Sequence, residues 1–304
     1  MTSIAFIGLG IMGSPMAGLL AASGHQVAGF NRSPGPYAAL QEAGGRPAES
    51  VAVAVEGADI TCLMLPDSPD VASVLREDGG VFDGAKKGSL IIDFSTIHPD
   101  IAADLAGQAR EHGLRMVDAP VSGGQTGAIN GELSIMVGGQ ARDVEEAKEI
   151  FRALGQTIVH VGPCGAGQSV KAANQLIVAA NIQALCEAVV FLEARGVDLP
   201  LALDALGGGL AGSKVLEAKR ANVVDRSFDP GFRIDLHHKD MSIFTSAAHE
   251  AGVVTPLGAL VTQMMAAARA AGDGHLDHSA LLRGLDRMSG RMERSQDAAG
   301  EDKK

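Results

Sequence analysis

The chain has 304 residues, a length that suggests about two domains, and its 46% apolar fraction is ample for buried cores. Aromatic residues make up only 3%, with one Tyr and no Trp, so the cores must be built of Ala, Val, Leu, Ile and Met, and stacking platforms for nucleic-acid bases are few. A net charge of −11 without a basic stripe argues against a nucleic-acid partner and leaves any anionic substrate to be met by local cations.

Residues 3–7 read as a first strand, which runs into Gly8-Leu9-Gly10-Ile11-Met12-Gly13 and a helical stretch at 12–23. G-x-G-x-x-G between strand and helix is the setting in which backbone N–H groups and a helix N-terminus approach a pyrophosphate. A second strand, 26–30, ends in Asn31-Arg32-Ser33. An acid here would bond a ribose 2′-hydroxyl and repel a 2′-phosphate. The acid is absent, all three residues can donate hydrogen bonds, and Arg32 can pair with a phosphate. The expected cofactor is therefore NADP(H), with NAD(H) possible.

Further strands are expected at 60–65, 90–93, 115–119, 134–137 and 157–161, with helices at 69–75 and 101–111 between the earlier ones. Strands alternating with helices predict an α/β Rossmann domain with a doubly wound, mostly parallel sheet. Ligands of such sheets bind outside the carboxyl ends of the strands, which makes Leu65-Pro66 and Thr96 candidate cofactor contacts. Thr96 also fits a helix N-cap ahead of Pro99.

Beyond Gly162-Pro163 the strand signal stops. A long interdomain helix is expected at 168–194, with Leu176, Ile177, Ala180, Leu185, Val189 and Leu192 as its apolar stripe, ending at Arg195-Gly196. Helices follow at 199–206, 213–222, 236–251, 256–271 and 279–292. The expected organisation is a dinucleotide-binding domain at 1–162, an all-α substrate and oligomerisation domain at 163–292, and a polar, disordered tail at 293–304. Cys62, Cys164 and Cys186 lack C-x-x-C spacing and read as reduced, buried thiols. Neither a signal peptide nor an apolar run of about 18 residues is visible, so the expectation is a cytoplasmic protein with no membrane partner. The histidine clusters, His237-His238, His249-Glu250 and His275 with His278, lack a complete ligand set, so no metal is expected.

Four stretches, in order, resemble the β-hydroxyacid dehydrogenases of the 3-hydroxyisobutyrate dehydrogenase type. They are Phe6-Ile7-Gly8-Leu9-Gly10-Ile11-Met12-Gly13-Ser14-Pro15-Met16-Ala17, Asp118-Ala119-Pro120-Val121-Ser122-Gly123-Gly124, Gly165-Ala166-Gly167-Gln168-Ser169-Val170-Lys171-Ala172-Ala173-Asn174-Gln175, and Phe232 through Lys239-Asp240. The resemblance covers roughly residues 3 to 290. It implies hydride transfer between nicotinamide and a carbonyl or alcohol carbon, with Lys171 as proton donor to the developing oxyanion. Burial beside an apolar helix face is expected to lower the Lys171 pKa. Asn174, three residues on, shares that helix face and suits a substrate hydroxyl or Lys171 itself; Gln175 reads as a structural hydrogen bonder. Ser122, Gly123 and Gly124 offer a hydroxyl and N–H groups to a carboxylate. By the resemblance Lys239 serves the same site, meeting cofactor or substrate carboxylate, and the protein is a homodimer or homotetramer.

Within the family, Gly207-Gly208-Gly209-Leu210-Ala211-Gly212-Ser213, Asp229 through His237 and Asp277-His278-Ser279-Ala280 are similar to members that reduce tartronate semialdehyde to glycerate. Such members often carry an acid where this chain has Asn31, a departure that favours NADPH. Other semialdehyde or hydroxyacid dehydrogenases, among them those acting on 3-hydroxyisobutyrate or L-threonate, remain alternatives. So does a non-catalytic NADP-binding module. Imine reductases of similar architecture typically replace the lysine that is present here as Lys171.

Overall fold

The computed structural model describes residues 1–33 and 37–291, so the tail at 293–304 lies outside the described residues. The strands are β1 (Ser3–Ile7), β2 (Gln26–Phe30), β3 (Arg46–Pro47), β4 (Ile60–Leu63), β5 (Leu90–Asp93), β6 (Arg115–Asp118), β7 (Val121–Ser122), β8 (Leu133–Gly138) and β9 (Gly155–Gly162). They form one sheet in the order β3-β2-β1-β4-β5-β6-β8-β7, with β9 paired to β8. All pairings from β3 to β6 are parallel; β8 runs antiparallel to β6 and β7 and parallel to β9. The order 3-2-1-4-5-6 is the doubly wound arrangement, with its reversal of direction between β1 and β4.

Strand composition explains the layering. Ile4 and Phe6 of β1 pack into the core on one face, and Ala5 and Ile7 into the core on the other. A strand covered on both faces carries apolar residues at nearly every position, as β1, β4 and β5 do. The helix Gly13–Ala22 covers the first face with Met16, Ala17 and Leu20. The helices Ser68–Arg76 and Pro99–Glu111 cover the second with Val71, Leu75, Ala102, Leu105 and Ala109. Both of these start with Pro in the first turn, where its missing N–H costs nothing.

The chain divides into two compact units, Met1–Ala173 and Asn174 onward, and the division falls inside one helix, Ala166–Ala194. Among its described residues the second unit has helices and no named strand. Leu199–Gly207, Lys214–Asp225, Ile234–Glu250, Pro256–Ala270 and Leu281–Met288 surround a core built from Ile182, Leu185, Val189, Leu203, Met241, Val261, Met265 and Leu282. The long helix is long and apolar enough, by length and composition, to cross a membrane. In the sequence it does not stand out as an unbroken apolar run, because Asn174, Gln175, Asn181, Gln183 and Glu187 interrupt it. Its residues Ala179, Ile182, Leu185, Cys186 and Val189 are part of the helical core, and a core helix meets the same test.

Candidate active site

The turn after β1 has the shape that its glycines allow. Gly8 sits at φ +96°, and a Cβ there would lie 2.3 Å from the Met64 carbonyl oxygen; at Gly13 a Cβ would lie 1.9 Å from the Gly8 carbonyl oxygen. These two glycines let the chain reverse and let the helix press onto the strand. A Cβ at Gly10 would meet nothing within 4 Å, so the backbone there is open to a close-approaching ligand. Leu9 is buried and Ile11 is exposed, and no side chain caps the helix that begins at Gly13. Within the first turn Ser14 and Met16 donate to the Gly10 and Met12 carbonyls and Pro15 carries no N–H, so an approaching pyrophosphate would be met by the glycine turn that leads into the helix.

At the end of β2, Asn31 works inside the fold. Its Oδ1 accepts from the Leu9 N–H at 3.0 Å and its Nδ2 donates to the Ser33 carbonyl at 2.8 Å. Asn31 thus ties the β2 end to the glycine turn. Arg32 stands out, its side chain 86% exposed, with Asp70 at 3.6 Å. Ser33 is exposed beside it.

The ends of β4 and β5 are joined. The Leu65 N–H donates to Ser95 Oγ at 2.9 Å, and the Ser95 N–H donates to Asp93 Oδ1 at 2.9 Å. Pro66 is exposed and Thr96 half-buried just beyond these bonds. The cap of the helix Pro99–Glu111 is His98, whose Nδ1 accepts from the Asp100 N–H, so Thr96 does not serve as that cap.

Lys171 lies in the second turn of the long helix and is 7% exposed. Two buried residues place that turn. Asp118, at the end of β6, accepts from the Gly165 N–H with Oδ1 at 2.8 Å and from the Gln168 N–H with Oδ2 at 2.9 Å. Burial pushes the Asp118 carboxyl above its ordinary value, while these N–H groups pull it down. Gln168, 1% exposed, donates from Nε2 to the Ser95 carbonyl at 2.8 Å and accepts the Ile97 N–H on Oε1 at 3.1 Å. The helix of Lys171 is therefore bonded on both sides of Thr96. A Cβ at Gly167 would fall 2.4 Å from the Met136 carbonyl oxygen, and one at Gly138 2.5 Å from Asp118 Oδ1, so glycine admits the helix end to the sheet. Ser122 closes β7, and Gly123 (φ +141°) and Gly124 (φ +63°) turn the chain into the helix Gly124–Asn130. Ser122 is half-buried and both glycines are exposed.

In the helical unit, Asn174 and Lys239 are linked through two further residues. Asn174 Nδ2 donates to Gln175 Oε1 at 2.8 Å, and Gln175 Nε2 donates to Asp240 Oδ2 at 2.6 Å. Asp240 Oδ1 pairs with Lys239 Nζ at 2.8 Å. One turn earlier, His237 Nε2 lies 3.2 Å from the Gln175 carbonyl and Nδ1 lies 2.9 Å from Nδ1 of His278. Its neighbour His238 turns away to Arg269. Cys62 and Cys186 are buried and Cys164 partly so; burial raises all three thiols, those of Cys164 and Cys186 to about 12.

Residue type and spacing make the glycines, Arg32, Lys171, Ser122 and Lys239 visible as site candidates. They do not single out Asp118, Ser95, Gln168 or Asp240. Asp118, Gln168 and Asp240 lie within the quoted motifs and Ser95 beside Thr96, but their partners are 30 to 73 residues away along the chain.

Residues 3–162 match the family model described as the NAD binding domain of 6-phosphogluconate dehydrogenase. Residues 165–285 match that described as NAD-binding of NADP-dependent 3-hydroxyisobutyrate dehydrogenase. The chain is 41% identical over 287 residues to 2-hydroxy-3-oxopropionate reductase of Escherichia coli K12, covering 94% of this chain and 98% of the relative. It is 37% identical over 283 residues to 3-sulfolactaldehyde reductase of the same organism, covering 93% and 95%. Among solved structures, Mycobacterium tuberculosis 3-hydroxyisobutyrate dehydrogenase with L-serine superposes with a TM-score of 0.85 at 32% identity, covering 94% of this chain and 99% of that one.

Proposed function

Since the chain belongs to the β-hydroxyacid dehydrogenase family and is an NAD(P)-dependent oxidoreductase, we propose that it reduces tartronate semialdehyde (2-hydroxy-3-oxopropionate) to glycerate with NADPH. The observation that carries the reaction type is Lys171, a 7% exposed cation on a helix whose first turn is bonded to the loop of Thr96. The substrate choice is supported by the near full-length similarity to the E. coli reductase of that compound.

In this reading Gly8, Leu9, Gly10, Ile11, Met12 and Gly13 hold the pyrophosphate, and the open space over Gly10 fits that approach. Arg32 and Ser33 hold the 2′-phosphate, with Asn31 fixing their loop from behind. Leu65, Pro66 and Thr96 flank the cofactor at the strand ends. Bound nicotinamide supplies the hydride. Lys171 donates a proton to the carbonyl oxygen as negative charge develops, and takes it back in the reverse direction. Asn174 orients the reacting hydroxyl. The Ser122 hydroxyl and the N–H groups of Gly123 and Gly124 hold the substrate carboxylate. Lys239 adds a cation for the cofactor or that carboxylate.

The test is absorbance of reduced nicotinamide, with NADPH and NADH each offered against tartronate, succinic and methylmalonate semialdehydes and 3-sulfolactaldehyde. Consumption of NADPH fastest with tartronate semialdehyde supports the assignment, and preference for another aldehyde overturns the substrate. Lys171→Met should lower kcat by on the order of a thousandfold, within the usual worth of a positioned proton donor. NADPH binding, read by fluorescence, should persist. Unchanged turnover in this variant would remove Lys171 from the chemistry.

We also infer a cytoplasmic homodimer or homotetramer. Ile177 and Phe191 on the long helix are 61% and 64% exposed, apolar surface of the kind that partner subunits cover. Light scattering should give at least twice the 31.1 kDa chain mass; a monomer overturns the inference.

A further inference from the structure

We propose that Asp240 and Gln175 are positioning residues that decide which end of the Asn174 amide is presented for chemistry, and that they act through hydrogen-bond polarity. The proposal rests on the reading that Asn174 belongs to the reactive site.

The argument starts from a restriction. A carboxylate oxygen only accepts hydrogen bonds, whereas a primary amide has one accepting and one donating end. Asp240 is 3% exposed; its Oδ1 accepts from Lys239 Nζ, and its Oδ2 lies 2.6 Å from the Gln175 amide. Gln175 must therefore turn Nε2 toward Asp240. Gln175, itself 3% exposed, then has Oε1 toward Asn174, which must answer with Nδ2 at 2.8 Å. The end of Asn174 turned away from Gln175 is thus Oδ1, an acceptor. An acceptor takes a substrate hydroxyl or an ammonium and repels a carboxylate. The direction of both bonds is set by one buried acid, 65 residues along the chain from Gln175. His237 secures the same turn by holding the Gln175 carbonyl at 3.2 Å.

The polarity can be broken and then restored. Gln175→Glu has no donor for Asp240 and sets two carboxylates together. Asp240→Asn removes the restriction, because the new amide can accept from Gln175 or donate to it. The double variant moves the charge from position 240 to position 175. The amide introduced at position 240 can then donate to the carboxylate introduced at position 175 while accepting from Lys239. That carboxylate again accepts from Asn174 Nδ2, so in this background Asn174 presents Oδ1 once more.

The experiment measures kcat and KM for the best semialdehyde in the wild type, both single variants and the double variant. Misplacing a reacting group typically costs up to about a hundredfold, so each single variant should lose on the order of ten- to a hundredfold in kcat, with KM for NADPH little changed. The double variant should recover at least about tenfold over the slower single, the signature of residues acting as one unit. A double variant as slow as the product of the singles, or singles as fast as wild type, overturns the proposal. A second readout does not depend on turnover. In 15N-labelled protein the side-chain amide signals of Gln175 and Asn174, assigned by their loss in Gln175→Glu and Asn174→Asp, should both shift in Asp240→Asn. The Asn174 signal should return toward its wild-type position in the double variant. If the amide signals behave this way while the wild type reduces none of the aldehydes, the proposed function fails and the polarity stands. If the Asn174 signal is indifferent to Asp240→Asn, the polarity proposal fails whatever the turnover.

Discussion

In the proposed function, cofactor choice comes down to Arg32. Its side chain is 86% exposed and Asp70 stands 3.6 Å from it, an exposed pair worth less than about 1 kcal/mol. Little holds the guanidinium back from a 2′-phosphate, and hydrogen bonds to charged groups are worth about 1.5–3 kcal/mol, or roughly ten- to a hundredfold in affinity. Arg32→Ala should raise KM for NADPH by that factor and leave KM for NADH within a factor of about two. Steady-state kinetics with both cofactors checks this, and equal effects on the two would assign Arg32 to the surface. Residue types and their order mark such a position as a candidate, because the chemistry of an Arg after the second strand does not depend on packing. They reveal Asn31 less well. By residue type it is a third phosphate donor, yet both ends of its amide are used by Leu9 and Ser33. They mark Asp240 least: beside Lys239 it reads as an ordinary ion-pair partner, and its bond to Gln175 emerges only on folding.

For the elements, the central object is the start of the long helix. Helix N-termini carry unpaired N–H groups, and here two N–H groups at that end meet one buried carboxylate, that of Asp118. Asp118→Ala would strand both. Leaving a buried donor unsatisfied costs about 1–3 kcal/mol, so the expected loss is about 2–5 kcal/mol, read as a lowered urea midpoint. Lys171 rides on the next turn, so kcat should fall as well, even at temperatures where the variant is folded. Full activity in a destabilised Asp118→Ala would show that the cap supports the fold without placing Lys171. The elements that residue patterns reveal are the ones with strong local signals. The central strands β1, β2 and β5 fall at 3–7, 26–30 and 90–93 as expected, because residues buried on both faces make nearly unbroken apolar runs. The two-residue strands β3 and β7 are invisible, since Arg46-Pro47 and Val121-Ser122 have too few residues to show a period. The short helices Val51–Val55 and Gly124–Asn130 escape for the same reason. The long helix begins at Ala166 rather than 168, since its first turn is bonded to Asp118, which the chain order does not reveal.

For the whole molecule, the buried titratable groups give stability a definite pH dependence. His278 is 4% exposed; burial and the adjacent His237 hold its pKa well below the ordinary 6.5. The geometry gives the reason. His237 Nε2 faces the Gln175 carbonyl and so carries a proton, and in the tautomer that leaves its Nδ1 bare that atom accepts from Nδ1 of His278. His278 Nε2 is then bare, buried and without a partner, and a proton placed there would have nothing to bond. In the unfolded chain His278 takes up a proton below about pH 6.5. The folded chain does not, so the unfolded state binds more protons and stability falls as pH drops through that window, by up to about 1.4 kcal/mol per pH unit. Half-exposed His238, lowered by burial and Arg269, adds a smaller contribution of the same sign. Asp277 acts further down. Burial opposes its charge, but the Lys219 ammonium and the Ser279 hydroxyl favour it, and the Asp277 carboxyl lies below the usual range. Its stabilisation is therefore present above about pH 4 and lost only in stronger acid. Asp118 has the opposite sign, since its raised carboxyl favours the folded state as pH falls, and that contribution is shared by the wild type and a variant at position 278. Comparison with such a variant isolates His278. His278→Asn keeps a donor for His237 and cannot titrate. Urea unfolding followed by helix ellipticity at about pH 7.5, 6.5 and 5.5 should show the wild-type midpoint declining toward acid and the variant's midpoint nearly level. Parallel declines would place the acid sensitivity elsewhere than His278.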